Sequence, residues 1–308
     1  MRRKSYFATM SKANLQTLYK KSNRFKKICW ANTDSFDDSD VIIVGIPNES
    51  GSYSRSKGTA KAPDIIRKIS NERDVYVEKD LRCLALPTDG LRVRILDYGN
   101  IKRTQIPRVI GKISSSSKLP IIIGGDHSNT THIIKTLSER VGPISLVYFD
   151  AHPDFVGHTR NYYGSIITDC LDYIDFKSSI QIGIRTPEWE ELDNIKRHGL
   201  QVITPFDIAE KGIKQITRTV LQTIKNNVYV SLDMDCLDPA YAPGVSVPVP
   251  MGLESQDVVF LIKKIAQRGI IGLDIMEVCP NTDLNNITSH FASRLVGEVA
   301  SSCKLRHK

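Results

Sequence analysis

The sequence has no apolar run approaching the roughly 18 residues a membrane span needs, and it carries no secretory h-region. It has no Cys-x-x-Cys pair, no Gly-x-Gly-x-x-Gly, no Gly-Lys-Ser/Thr and no Gly-x-Ser-x-Gly. Each absence removes a class. Without a span or leader the expectation is a soluble, cytoplasmic protein with no membrane partner. The six cysteines (Cys29, Cys83, Cys170, Cys236, Cys279, Cys303) lie far apart, which argues against a disulfide framework or zinc ribbon and for buried free thiols in a reducing compartment. Without a phosphate-binding glycine loop or a nucleophile elbow, neither nucleotide binding nor serine-hydrolase chemistry is legible.

Acid is missing from one end. Residues 1–30 carry nine Lys or Arg and no Asp or Glu, so the net charge of +8 belongs to this arm. Subtracting those nine from the 42 basic residues leaves 33 against 34 acidic, a near-neutral body. No aromatic stacking platform accompanies the arm, so no nucleic-acid partner is expected. A solvated or partner-binding arm is favoured over an organelle presequence. With Asp34 to Asp40 read as an acidic, Ser-containing linker, the division expected is an arm and linker over 1–38 and one domain over 39–308. At 308 residues, 41% of them apolar, the chain can bury one large core.

What is present is a series of short, β-rich apolar runs alternating with helical patterns. Strands are expected at 41–46, 91–96, 119–123, 145–149, 179–184, 201–204, 228–232 and 270–275. Such alternation predicts an α/β fold with a parallel sheet covered on both faces, with a closed eight-fold barrel as the runner-up. The Gly- and Ser-rich stretch from Pro47 to Pro63 reads as a lip of the site.

Three strand ends carry polar clusters. Ser145-Leu-Val-Tyr-Phe149 runs into Asp150-Ala-His152-Pro-Asp154, Leu119-Pro-Ile-Ile-Ile123 into Gly124-Gly-Asp126-His127-Ser128, and Val228-Tyr-Val230 into Ser231-Leu-Asp233-Met-Asp235-Cys-Leu-Asp238-Pro239. Carboxyl ends of parallel strands are where such sheets keep their sites. In Asp150-x-His152-x-Asp154 the ligand-type side chains are two apart, and a strand sends such residues to one side. A single motif of this kind also suits a capped strand end, but three together supply more donors than one divalent ion needs. Carboxylates with imidazoles and no thiolate favour two manganese ions over zinc or iron(II), and two ions sharing a water make a hydrolase. Glu277, after Asp274-Ile-Met276, is either a capping residue or a carboxylate aimed at a cation, and its two-pronged shape matches a guanidinium.

These three clusters resemble the metal-binding signatures of the ureohydrolase family, which includes arginases and agmatinases. Gly45-Ile-Pro47, Ala62-Pro-Asp-Ile-Ile-Arg67, Gly183-Ile-Arg185 and Asp274-Ile-Met-Glu277-Val278 are similar to family sequence around them. The resemblance implies an arginase-like, three-layer α/β/α fold with an eight-stranded, mainly parallel sheet, two Mn²⁺ ions per subunit, and trimer or hexamer assembly. It implies that His127 and Asp154 bind one ion, His152 and Asp235 the other, and that Asp150 and Asp233 bridge them. Asp154 would also accept a hydrogen bond from the nucleophile, and Glu277 would bind the guanidinium. Asp126 and Asp274 would support the ligands without joining them.

Where family members carry a proton-shuttling His-Gly pair, this chain has Tyr163-Gly164. A phenol titrates too high to shuttle protons at neutrality, and His158 in the same loop is the candidate for the part. Asn161 and Tyr163 are expected substrate contacts, and Tyr162-Tyr163 points away from free arginine toward a non-standard guanidine such as peptide-linked arginine. Two alternatives stay open: a formimidoyl-amino-acid hydrolase, with Arg160 as its carboxylate contact, and a catalytically silent interaction module using the basic arm.

Overall fold

The computed structural model describes residues 27–71 and 93–304 of the chain. Its elements, in order, are β1 Val41–Gly45, α1 Ala62–Ser70, β2 Ile95–Asn100, α2 Ile106–Ser115, β3 Leu119–Ile123, α3 Asn129–Val141, β4 Ser145–Phe149, α4 Ile166–Asp169, β5 Ile180–Ile182, α5 Trp189–His198, β6 Gln201–Ile203, α6 Pro205–Lys211, α7 Ile213–Thr223, β7 Val228–Asp233, α8 Ser255–Arg268, β8 Gly272–Met276 and α9 Ile287–Ser302.

All pairings are parallel, in the order β2-β1-β3-β8-β7-β4-β5-β6. The sheet is open, with β2 and β6 at its edges, so the barrel alternative does not form. The inner strands β1, β3, β8, β7 and β4 are buried along their whole length because both faces are covered. Val41 and Ile43 face one core with α1, α7, α8 and α9, while Ile42 and Val44 face the other with α2, α3 and α4. The covering helices earn their place by spacing. Ile106, Val109, Ile110 and Ile113 of α2, like Val258, Leu261, Ile262 and Ile265 of α8, fall at i, i+3, i+4 and i+7 and are all buried. Prolines open α1, α2 and α6 at positions where the missing N–H costs nothing, and Gly199 closes α5 with a left-handed φ of 66°.

Three expectations are revised. The second strand is Ile95–Asn100 where 91–96 was expected, and residues 91 and 92 lie outside the described residues. Asp97 sits inside it because Arg67 grips the carboxylate with two hydrogen bonds of 2.8 and 2.9 Å, both side chains being buried. The helix expected beyond Gly164 is a single turn, α4. Helix α6 was unforeseen: only Ile208 of its seven residues is buried, so it has no apolar stripe, and it stands on Pro205 and the reciprocal Thr204–Asp207 cap.

Most of the expected basic arm, residues 1–26, lies outside the described residues. The stretch that follows, assigned to arm and linker on its polarity, packs on the body from Ile28 to Thr33. Ile28 and Trp30 are buried, the Trp30 indole donates to the Ser293 carbonyl at 2.8 Å, and a Cβ on Gly297 would lie 2.6 Å from that ring. The Ile28 N–H adds a hydrogen bond of 2.8 Å to Asp97. No helix among the described residues is long and apolar enough to cross a membrane.

The Arg67–Asp97 pair therefore ties α1, β2 and the incoming chain together. Replacing Arg67 by Met strands a buried carboxylate and should cost about 3–5 kcal/mol, read as a fall in the urea midpoint. Adding Asp97→Asn to that variant should recover part of the loss.

Candidate active site

Four adjacent central strands, β3, β8, β7 and β4, deliver the polar groups at their carboxyl ends. Beyond β3, a Cβ on Gly124 would lie 1.7 Å from the Met276 sulfur and one on Gly125 would lie 2.0 Å from the Asn48 carbonyl oxygen. Only glycines let this tip pass between β8 and the lip, and Asp126 and His127 follow at once. Asp150, His152 and Asp154 follow β4. Asp233 ends β7, Asp235 lies in the tight turn Met234–Cys236, and Glu277 follows β8.

The six expected ligands converge. His127 Nδ1 lies 3.1 Å from Asp150 Oδ2, 3.1 Å from Asp233 Oδ2 and 3.5 Å from Asp154 Oδ2. His152 Nδ1 lies 3.4 Å from Asp150 Oδ1 and 3.1 Å from Asp235 Oδ2. Two groups suited to a cation result, His127–Asp150–Asp233 and Asp150–His152–Asp235. Asp150 belongs to both through its two oxygens. Asp233 joins only the first, its other oxygen accepting the Asp235 N–H at 2.8 Å. Asp154 stands outside both, held by the Tyr148 hydroxyl.

The donor set fits divalent ions on its own terms. Asp150 Oδ2 is buried with no hydrogen-bond partner, although an imidazole nitrogen lies 3.1 Å away. Two ligand atoms at right angles about a cation, each ~2.1 Å from it, lie ~3.0 Å apart. Such a pair need not bond to each other if both aim at one point. The charges agree. Burial and then the Asp150 charge push the Asp154 carboxyl up, and burial with Asp235 and Asp150 does the same to Asp233. Burial alone would lower His127, but the adjoining carboxylates of Asp150 and Asp233 raise it, and Asp235 and Asp150 likewise outweigh burial at His152. Without cations the cluster must hold protons that metal ions would displace.

A relay sets the His127 tautomer. Three hydroxyls reach Asp274: Thr130 and Tyr229 at 2.7 and 2.6 Å on Oδ2, and Ser231 at 2.7 Å on Oδ1. Ser231 has spent its proton on Asp274, so it accepts from His127 Nε2 at 2.9 Å and leaves Nδ1 free for a cation. The Tyr148 ring also stacks on the imidazole, with centroids 4.9 Å apart. Sequence reasoning missed Tyr148, Ser231 and Thr130; for the first two the only signal was a hydroxyl inside an otherwise apolar strand, and Thr130 lies in the first turn of α3.

Glu277 and Asp154 are non-glycine residues in left-handed backbone, at φ 62° and 50°, a conformation that costs energy and persists only when braced. The Glu277 N–H donates to the Gly125 carbonyl at 3.0 Å, its Oε1 accepts the His127 N–H at 2.8 Å, and the Asp154 carbonyl accepts the Ile167 N–H at 3.0 Å. Burial, then the Asp126 charge, raises the Glu277 carboxyl to about 7.

Asp126 anchors the lip, its Oδ2 accepting the Gly51 N–H at 2.7 Å. Between lip and strand ends is a small cavity lined by His152, Asp154, Asp233, Asp235 and Glu277. Around it stand the hydroxyls of Ser52, Ser54, Tyr163 and Ser246, the last buried and without a hydrogen-bond partner. Arg185 fastens the opposite wall, donating to the carbonyls of Asp235, Val249 and Pro250 at 2.8, 2.6 and 3.0 Å. Tyr163 is thus at the cavity. His158 and Asn161 are exposed and outside its lining: the His158 ring pairs with Glu190 at 2.9 Å, and the Asn161 N–H with Asp169 at 2.8 Å.

A model of the Arginase family matches residues 39–301. The chain is 31% identical over 288 residues to the proclavaminate amidinohydrolase of Streptomyces clavuligerus, covering 87% of this chain and 90% of the relative. It is 30% identical over 264 residues to an agmatinase of Neisseria meningitidis, covering 81% and 82%. The solved agmatine ureohydrolase of Thermoplasma volcanium superposes with a TM-score of 0.79 at 28% identity, over 93% of this chain and 97% of that one. The formimidoylglutamase of Bacillus subtilis shares the fold, with a TM-score of 0.78 at 23% identity over 98% and 95%.

Because Asp150 reaches both groups, Asp150→Asn should abolish metal binding at either group, whereas Asp235→Asn should leave about one ion per chain. Metal content after manganese loading and desalting checks this.

Proposed function

The chain belongs to the arginase family, and from that membership and the geometry of its strand ends we propose that it hydrolyses a guanidino group to urea and an amine with the help of two Mn²⁺ ions. The single observation that carries this reading is Asp150 with one oxygen in each of two His–Asp groups beside a small, carboxylate-floored cavity. Relatives named amidinohydrolase and agmatinase support the same reaction class, hydrolysis of a C–N bond in a linear amidine.

Held by His127, Asp150, Asp233 and by His152, Asp235, with Asp154 completing the set, such ions would supply an attacking water of near-neutral pKa. The carboxylate-rich, thiolate-free donors favour manganese. Glu277 faces the cavity with its carboxyl braced from behind, positioned to grip a guanidinium through paired N–H···O contacts. The buried Ser246 hydroxyl lies beside it as a further contact. Asp154, its Oδ2 already satisfied by Tyr148, keeps the other oxygen to accept the attacking water's proton, which it would pass to the departing amine nitrogen.

The formimidoyl alternative needs a free cation for a substrate carboxylate. Arg160 is engaged, its Nη1 donating to the Thr168 carbonyl at 2.7 Å and lying 3.4 Å from Asp169. A silent interaction module has no use for a converged ligand set.

Manganese-loaded protein should release urea from at least one member of a small guanidine panel, and chelation followed by Mn²⁺ return should abolish and restore the activity. Glu277→Gln should lower kcat/KM about a hundredfold or more, the scale of losing one preorganised charge partner, while metal content stays intact. Absence of urea from every guanidine with both metals bound would overturn the proposal.

A further inference from the structure

The cavity over the floor of carboxylates is small. Tyr163 is the one aromatic ring in its lining, and the rest of a substituted guanidine extending along that wall lies against it. There it meets two more rings. Tyr53, from the lip, is 71% exposed, and its centroid lies 5.5 Å from that of Tyr162, which lies 5.6 Å from Tyr163. The row is held in place. The Tyr163 N–H donates to the Gly51 carbonyl at 3.2 Å and the Tyr162 N–H to Ser165 at 3.2 Å. A Cβ on Gly164 would come within 2.8 Å of the Tyr162 ring, so the glycine lets that ring lie against the backbone.

Cations near this exit are scarce. Among the described residues no Lys or Arg lines the cavity, Lys57 is bonded to the Ser52 carbonyl and Arg160 to that of Thr168. The carboxylates of Asp154, Glu191 and Glu188 act on Tyr162. Arg55, exposed on the lip, is the one cation there with no partner among the described residues. A distal carboxylate would meet like charge on one side, whereas an amide surface would find ring faces and phenol tips.

We propose that Tyr53, Tyr162 and Tyr163 form the subsite that selects the substrate, and that this substrate is a guanidine with an uncharged, amide-linked distal end instead of a free amino acid. The inference rests on the guanidine-hydrolase reading. Urea release by the manganese-loaded full chain should be compared on methylguanidine, arginine, agmatine and arginine blocked as its Nα-acetyl amide. The blocked form should exceed free arginine about tenfold in kcat/KM, mainly through KM. Tyr53→Ala and Tyr162→Ala should each cut that ratio about three- to tenfold, and the Phe variants should keep it. Turnover with equal or reversed preference overturns the subsite and leaves the hydrolase reading standing. Free arginine preferred, with the preference lost in Arg55→Ala, transfers the distal end to Arg55. Agmatine preferred over blocked arginine makes the rings a cation site and likewise overturns the proposal. No turnover of any guanidine with metals bound removes both readings.

Discussion

Mutual repulsion among buried carboxylates is the constraint on which the site depends. Asp150, Asp154, Asp233 and Asp235 are each no more than 4% exposed and crowd around two imidazoles. Such a cluster is tolerable only with protons or cations inside it. The surrounding fold restrains it: backbone N–H groups of Ala151, His152 and Asp235 donate to Asp235, Asp150 and Asp233 at 3.0, 2.7 and 2.8 Å. The strand ends thus supply dipoles of the right sign, and the choice between protons and metal is left to solution conditions.

Behind this cluster lies a second layer that decides which atom of each ligand is presented. Ser231 and Asp274 orient His127, Tyr148 orients Asp154, and Gly125 braces Glu277. Ser231–Asp274 links β7 to β8 and Gly125–Glu277 links the end of β3 to that of β8, while Tyr148 on β4 holds the loop that follows its own strand. The lip is different in kind. It is anchored at Gly51 and carries an exposed ring, which separates the rigid chemistry below from the selection of the distal end above.

The positions of the metal-type residues were legible because strand periodicity and three polar strand ends leave little freedom. Seven of the eight strands could be placed from apolar runs alone. The second could not: Asp97 reads as an ending because an isolated sequence does not reveal the Arg67 that neutralises it. Helix α6 escaped for want of a buried stripe. Within the site, the resemblance placed Asp150, Asp233 and Asp154 among the ligands; the structure puts Asp150 in both ligand groups, while the positions of Asp233 and Asp154 depend on side-chain rotation, which no spacing encodes. The loop after Asp154 was least legible. His158, Asn161 and Tyr163 are close in sequence, yet only Tyr163 turns inward, the chain reversing at Asn161 with a φ of 60°.

The order of the sheet also dictates when the site can exist. β3 and β4 are consecutive in the chain but stand three strand spacings apart, ~14 Å, and the gap is filled only by β7 and β8. During synthesis His127 emerges early together with Asp150, His152 and Asp154, yet Asp233, Asp235 and Glu277 arrive in the last third of the chain. A nascent chain consequently offers four of the six expected ligands, and the set is complete only once the two central strands insert. The same step that seals the core arms the chemistry.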